Sequence, residues 1–256
     1  MRQNLFLLQE LVRRDFTSRY AGSMLGFLWS FLQPLWLLVL FSFVFSTVLK
    51  ISPMGARTES FGIFLFCGLL PWTAFHEGVM RASTAITEHA NLVKKLNFPS
   101  ELLSLAAVLA ALVQEATAAI LFAIILAFLG ELSWFSLGWL AVALPIQVAL
   151  TVGLGLSLGA LQVFFRDIAQ FLGMVLTGWF YFTPIVYPLA QVPQPYRGWI
   201  EWNPMTALVE IYRGAFLGGG PGSVTGLVRL GLMAVVALAV GLWLFRRLKP
   251  SFADEI

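Results

Sequence analysis

"NLVKKLNFPSELL", residues 91–103, closes one apolar run and opens the next. It gathers Asn91, Lys94, Lys95, Asn97, Pro99 and Glu101 in a chain that is elsewhere almost free of charge. A membrane-spanning helix needs about 20 consecutive, mostly apolar residues. A short polar break between two runs of that length is the pattern of a loop joining two spans. The fold therefore depends on how often the pattern recurs.

Six apolar stretches fall near 28–49, 61–86, 101–129, 134–165, 168–187 and 225–245. The fourth and fifth are parted only by a tight charged turn within "FFRDIAQ", 164–170. Composition points the same way: 59% of the 256 residues are hydrophobic and 11% charged, against about 25% charged in an ordinary soluble domain. Mean hydropathy is +0.84. So little charge cannot coat a packed soluble core, and the bilayer is the expected solvent. The expected fold class is all-α: a polytopic membrane protein with six transmembrane helices, formed by residues 1–256 as a single domain.

The net charge of +3 gives no nucleic-acid signal; what matters is where the cations fall. With the N-terminus in the cytoplasm, six spans return the C-terminus there. Arg2, Arg13, Arg14, Arg19, Lys94, Lys95, Arg166, Arg246, Arg247 and Lys249 then lie on the cytoplasmic side, joined by Arg81 near the end of the second span. The outside keeps Lys50, Arg57, Arg197 and Arg213, while Arg229 lies just inside the last span. This asymmetry follows the positive-inside rule and predicts a multi-pass protein of the cell (inner or plasma) membrane with both termini cytoplasmic. "MRQNLFLLQELVRRDF" lacks a long apolar region and a small-residue cleavage site, so it does not read as a signal peptide.

Two segments are expected not to span. Residues 1–20 hold an amphipathic helix: at about 100° per residue, Leu5, Leu7, Leu8, Leu11, Val12 and Phe16 share one side, while Gln9, Glu10, Arg13, Arg14 and Thr17 share the other. Phe6 breaks the pattern. Such a helix can lie in the membrane interface. The second segment, 188–222, is divided by Pro188, Pro193, Pro195, Pro204 and Pro221. "NPMTALVEIYRGAFLG", 203–218, reads as one helix opened by Pro204. It is too short to cross, so a re-entrant outer segment is expected before the last span, with Glu210 and Arg213 spaced to pair.

Catalytic signals are weak. No G-x-x-x-x-G-K-[ST] loop is present to hold nucleotide phosphates. "HEGVM", 76–80, begins like a zinc motif but has Met80 where the second ligand belongs. His76 and His89 read as satisfying local hydrogen bonds, Cys67 as a packing residue, and Gly155 and Gly159 as small-xxx-small helix packing. No metal ligand set, cofactor or catalytic residue is expected in this chain.

Polar groups inside apolar runs are costly and so informative. Glu77 and Arg81, four apart, are placed to neutralise each other. Gln114 and Glu115 lie in the third run; Glu115 lacks a local partner, which suggests a water-lined pathway or an interhelix bond. Asp15 and Arg19 both fall within the apolar face of the first helix. They read either as an i,i+4 ion pair facing protein or as a substrate entrance, where Arg19 receives an anionic lipid head group. Trp72, Trp134, Trp139, Trp199 and Trp202 suit an interfacial belt. "GWFYFTP", 178–184, is denser than a belt requires. Its aromatics suit stacking on sugar rings or packing between helices, which makes Trp179, Tyr181, Phe182 and Tyr187, with Glu210 and Arg213, the candidate channel or gate residues.

Taken in order, "LVRRDFTSRYAGSMLGFLWSFLQPLWLLVLFSFVFS" (11–46), "GLLPWTAF" (68–75), "NLVKKLNFPSELL" (91–103), "FRDI" (165–168), "WFYFTPIVYPLAQVP" (179–193) and "WNPMTALVEIYR" (202–213) resemble the membrane subunit of ABC transporters that export lipid-linked polysaccharides, namely O-antigen, capsule and teichoic-acid exporters. The resemblance runs from the first helix to the last span. It implies a permease that works as a dimer of this chain above two copies of a separate ATPase subunit, which would bind ATP and Mg. The implied substrate is a glycan on a polyprenyl diphosphate carrier, moved through a channel between the two permeases, with membrane lipid around it and no nucleic acid.

By the same resemblance, 91–100 is a coupling helix that docks on the ATPase. The implied contacts are Asn91, Lys94, Lys95 and Phe98, with Glu101 in the first turn of the next helix, where negative charge suits the dipole. Arg166 and Asp167 would add a smaller contact. The plain alternative for 91–98 is a generic positive loop, against which an aromatic beside charge favours a partner interface. A drug or simple-lipid permease shares the architecture. A membrane-embedded transferase would need a convergent acid or metal cluster, which the sequence does not offer.

Overall fold

The computed structural model describes residues 2–18, 25, 28–50, 58–94 and 98–255, and every regular element among them is helical. Helix α1 (Arg2–Ser18) precedes α2 (Trp29–Phe41), which runs on as a wider π-helical stretch, Ser42–Val48. Then come α3 (Phe61–Glu88), the short α4 (Ala90–Val93), α5 (Glu101–Leu129) and α6 (Leu140–Phe164), the last preceded by a 3-10 turn at Trp134–Trp139. A sharp turn leads to α7 (Ile168–Phe182), followed by α8 (Gln194–Trp202), α9 (Pro204–Leu217), α10 (Val224–Leu248) and α11 (Phe252–Glu255).

Local chemistry explains most boundaries. The Ser60 and Ser223 hydroxyls accept from the Ile63 and Gly226 amides, capping α3 and α10. Asn203 caps α9 by accepting from the Met205 amide, with Pro204 in the first turn, where a missing N–H costs nothing. Gly130 ends α5 with φ 73°, a conformation that costs a glycine little.

Among the described residues, five helical segments are long and apolar enough to cross a bilayer: Trp29–Val48, Phe61–Glu88, Glu101–Leu129, Trp134–Phe164 and Val224–Ser251. The sixth expected span, 168–187, is realised differently. Helix α7 has 15 residues and stops at Thr183, because Pro184 disfavours helical geometry in the residue before it. The chain then leaves the helix through Thr183, Pro184 and Ile185, which are buried.

Helix α3 is the axis of the bundle. Most of its residues are buried, and it packs on α2, α5, α6, α7 and α9. Lipid tails are as apolar as leucine, so close van der Waals contact holds membrane helices together. Small residues allow it. Gly155 and Gly159 of α6 both face Ala82 of α3, and a methyl group at Gly159 would lie 2.8 Å from the Ala82 carbonyl oxygen. Where α6 crosses α10, a methyl at Gly153 would collide with the backbone of Ala237 and Leu238, and one at Gly241 with the Gly153 carbonyl. At the core centre, Phe122 lies edge-on to Phe216 at 5.2 Å and tilts against Phe66 at 4.8 Å.

The alternating helices give the bundle two ends. The α4 end gathers α1, α4, the 165–167 turn and the close of α10. The α9 end gathers α8, α9 and the 129–139 and 217–223 connections.

Candidate functional site

Polar chemistry collects at three levels. At the α4 end, helix α1 does more than present an apolar face: it lies against α5. Leu11 is buried with Ala85, Leu103 and Ala106, and Leu7, Leu8, Val12, Leu92 and Phe98 pack around them. Phe98 thus seats the loop after α4 on the α1–α5 junction. A groove of about 410 Å³ opens beside it, walled by Glu10, Arg13, Arg14 and Thr17 of α1 and by Leu92 and Phe98.

The other residues expected there are placed as follows. Asn91 and Lys94 are exposed on α4 and the turn that follows it. Lys95 lies outside the described residues. Glu101 accepts from Lys249 Nζ at 2.7 Å, which ties the start of α5 to the end of α10. Arg166 and Asp167 are exposed in the α6–α7 turn. Gln162 braces that turn by donating to the Arg166 carbonyl at 2.9 Å and accepting from the Ala169 amide at 2.9 Å.

Arg19 lies outside the described residues, so its expected pairing with Asp15 does too. The structure brings Asp15 to the Arg81 guanidinium of α3. Arg81 also faces Glu77 at 3.7 Å, the pair expected from their spacing. The acid on α1 therefore fastens that helix to the bundle axis. Sequence spacing did not suggest this link, because the two residues are 66 positions apart.

Midway along the helices, Glu115 is 5% exposed. Its Oε2 accepts from Gln147 Nε2 of α6 at 2.8 Å, and Gln147 Oε1 accepts from the Tyr212 hydroxyl of α9 at 2.7 Å. Three helices are thus joined by one buried polar chain. The interhelix bond foreseen for Glu115 is present, but Gln147 and Tyr212 were not singled out in the sequence. The available signal was a glutamine two residues after Pro145 in an otherwise apolar run. Glu115 Oε1 is buried, and the Tyr212 hydroxyl also interacts with this carboxyl.

At the α9 end, Asn203 is the hub. Beyond capping α9 it accepts from Trp179 Nε1 at 2.8 Å and donates to the Thr183 hydroxyl at 2.9 Å, holding α7 to α9. Tyr181 and Phe182 project outward at 65% and 71% exposure. Tyr187 donates to the Tyr181 carbonyl at 3.0 Å. Arg213 is buried: it donates to Glu210 at 2.9 Å and to the Ile185 carbonyl at 2.8 Å, and stacks over Phe64 at 3.6 Å. The Glu210–Arg213 pair expected from spacing is formed, within a pocket of about 280 Å³. Its wall is glycine-rich because Gly218, Gly219, Gly220 and Gly222 all hold positive φ.

No group of three or more His, Cys, Asp or Glu that could hold a metal occurs among the described residues. A helical bundle with five segments fit to cross a bilayer, joined inside by polar contacts, defines a multi-pass membrane protein. The chain belongs to the ABC-2 type transporter family, whose profile matches residues 7–217. It is 30% identical over 252 residues to the O-antigen export system permease protein RfbA of Myxococcus xanthus, covering 98% of this chain and 95% of that one. A Klebsiella pneumoniae protein of the same name is 27% identical, covering 97% of this chain and 94% of that one. The polysialic acid transport protein KpsM of Escherichia coli is 26% identical, covering 93% of this chain and 92% of that one.

Proposed function

We propose that this chain is the permease subunit of an ATP-driven exporter that carries a polyprenyl-diphosphate-linked polysaccharide, of the O-antigen type, out across the cell membrane. The carrying observation is the near-complete overlap with O-antigen export permeases, at 30% identity over 98% of the chain. Capsule export is the second reading, favoured by the 26% identity to a polysialic acid transport protein.

In this reading the α4 end is cytoplasmic, supported by Arg13, Arg14, Lys94, Arg166, Arg246 and Arg247 gathered there. Helix α1 is the interface helix. Helix α7 supplies the sixth crossing: its 15 residues give about 22 Å at 1.5 Å each. The non-helical Thr183–Ile185 stretch lengthens it where protein covers the backbone. Helices α8 and α9 are the re-entrant outer segment.

Two copies of the chain face each other across the apolar sides of α2, its π-helical extension and α7, where Trp36, Phe43, Phe171, Tyr181 and Phe182 are exposed. Two ATPase subunits bind beneath, at Asn91, Lys94, Lys95 and Phe98 and at the 166–167 turn; they hold ATP and Mg. Because Phe98 packs on the α1–α5 junction, a push on this loop moves α1 and α5 together. Arg19 receives the carrier's diphosphate, whose oxygens a guanidinium binds as a fork.

Purifying the chain with its ATPase and identifying the bound lipid by mass spectrometry tests this reading. A polyprenyl diphosphate glycan is expected. A preparation holding only phospholipid or drug-like molecules would overturn it.

A further inference from the structure

Helix α10 packs on α6 and α9 with one side. Along the other runs an exposed apolar stripe of Leu232, Val236, Val240 and Trp243. Arginines bracket it. Arg229 and Arg247 are 18 residues apart, which is about five helical turns, so both fall on the face of the stripe. They are separated by about 27 Å along the axis at 1.5 Å per residue, against about 30 Å for the hydrocarbon core of a bilayer. Arginines near the ends of a span reach outward to the interface. The two guanidiniums therefore stand at the two headgroup levels.

Each cation lies over a tryptophan. The Arg229 guanidinium is 5.0 Å from the Trp202 ring of α8, and that of Arg247 is 5.3 Å from the Trp243 ring. Neither holds a carboxylate. All 13 acidic residues of the sequence lie among the described residues, and none forms an ion pair with either arginine. Other cations at the same two ends do pair: Arg197 with Glu201, Arg213 with Glu210, and Lys249 with Glu101. Arg229 is half-buried. A cation kept at the edge of the apolar region calls for an anion, and the acidic side chains of this protein do not supply it. At the other end Arg246 and Arg247, with Ala239, Leu242 and Trp243, line a groove of about 560 Å³.

The anions present at both headgroup levels are lipid phosphates. A guanidinium binds phosphate oxygens as a fork, and the apolar stripe between the arginines suits an acyl chain from each leaflet. A second copy of the chain suits this face badly. In a two-fold pair the same patch meets itself, which sets Arg229 against Arg229 and Arg247 against Arg247 with no acid between them.

We propose that α10 is a two-leaflet phospholipid clamp. Arg229 with Trp202 holds one lipid phosphate, and Arg246 and Arg247 beside Trp243 hold another in the opposite leaflet. The clamp sets the depth and tilt of α10 and, through the contact of Lys249 with Glu101, the level at which α5 begins. It goes beyond the exporter reading and holds for either orientation of the chain and any cargo.

Native mass spectrometry of the full chain, stripped of lipid in detergent, tests this by counting bound lipid. The titrants are phosphatidylglycerol and a glucosyl diacylglycerol, which has the same tails and no phosphate. At least two tight phosphatidylglycerol sites per chain are expected, and none for the glycolipid. Arg229→Met removes the charge at one end, and Arg246→Met with Arg247→Met removes it at the other. Each change is expected to weaken one site about tenfold, and all three together both sites. Arg229→Lys should restore most of the binding, because an ammonium also holds phosphate as a point charge. Thermal unfolding checks the fold, and Arg229→Gln takes the place of Arg229→Met if that variant does not fold.

Unchanged retention in the variants, loss at one end only, or equal binding of the glycolipid overturns the proposal. So does a high-yield disulfide between two copies carrying Val236→Cys, which would put another chain on the stripe.

Discussion

Replacing Arg213 should loosen the α9 end measurably, and the size follows from its contacts. The side chain donates to the Ile185 carbonyl at 2.8 Å and to Glu210 at 2.9 Å, and lies over Phe64 at 3.6 Å. A hydrogen bond from a charged donor contributes about 1.5–3 kcal/mol. The desolvated cation–π contact adds about 1–2 kcal/mol. The Glu210 pair adds roughly 0.5–1 kcal/mol, since Glu210 is partly exposed and screened. Against these stands the cost of burying the guanidinium itself. Arg213→Met relieves that cost but leaves the Ile185 carbonyl unmatched, so the net loss is about 2–4 kcal/mol. For a chain of this size that corresponds to about 4–16 °C in unfolding midpoint. Arg213→Lys keeps the charge but not the fork, so it can satisfy one acceptor at a time and should fall about halfway. Thermal unfolding in detergent micelles, followed by intrinsic tryptophan fluorescence, gives the midpoints. A Met variant within about 2 °C of the native protein, or a Lys variant indistinguishable from it, would refute the assignment of Arg213 as the clasp between α9, Ile185 and α3.

Phe98→Asp is expected to abolish export while leaving the permease in the membrane, because it unseats the loop from the α1–α5 junction; pull-down with the ATPase and an export assay check this, and normal export with normal assembly sinks it. Gly241→Leu should prevent α10 from reaching α6, since even a methyl there collides with the Gly153 carbonyl; protease resistance of the membrane-inserted chain is the measurement, and native resistance would show that the crossing is not glycine-limited. Trp199 is 83% exposed at the α9 end, so Trp199→Cys should react with an impermeant thiol reagent added outside intact cells, and labelling from the cytoplasmic side alone would invert the topology.

Several site contacts were legible because they are local. Glu210 and Arg213 are three apart on one helix, and Glu77 and Arg81 four apart, so helical spacing alone brings them together. The helix opened by Asn203 and Pro204 carries its own cap. Other partners were hidden because they are distant in sequence. Asp15 reads as a partner for Arg19, which lies outside the described residues, and the structure brings it to Arg81; Glu101 reads as a helix-dipole residue, yet it clasps Lys249. In both cases spacing can propose only neighbours on the same helix. The bonds that join α5, α6 and α9 through Gln147 depend on how those helices are packed, which periodicity does not encode.

What the sequence determined by itself was the solvent and the order of elements. Apolar run length, the scarcity of charge and the Pro-broken segments are properties of the chain, and the bilayer acts on them helix by helix. The same holds for the breaks at 91–103 and 164–170. Only the tertiary structure decided that α3 is the axis, that α7 stops after 15 residues, and that Glu115 meets Gln147 and, through it, Tyr212. The physical reason is that helices in lipid are chosen for one another by close contact rather than by hydrophobicity. An apolar surface looks alike in sequence whether it meets lipid or another helix. Glycine-tight crossings and buried hydrogen bonds tell the two apart, and they exist only once the helices are assembled.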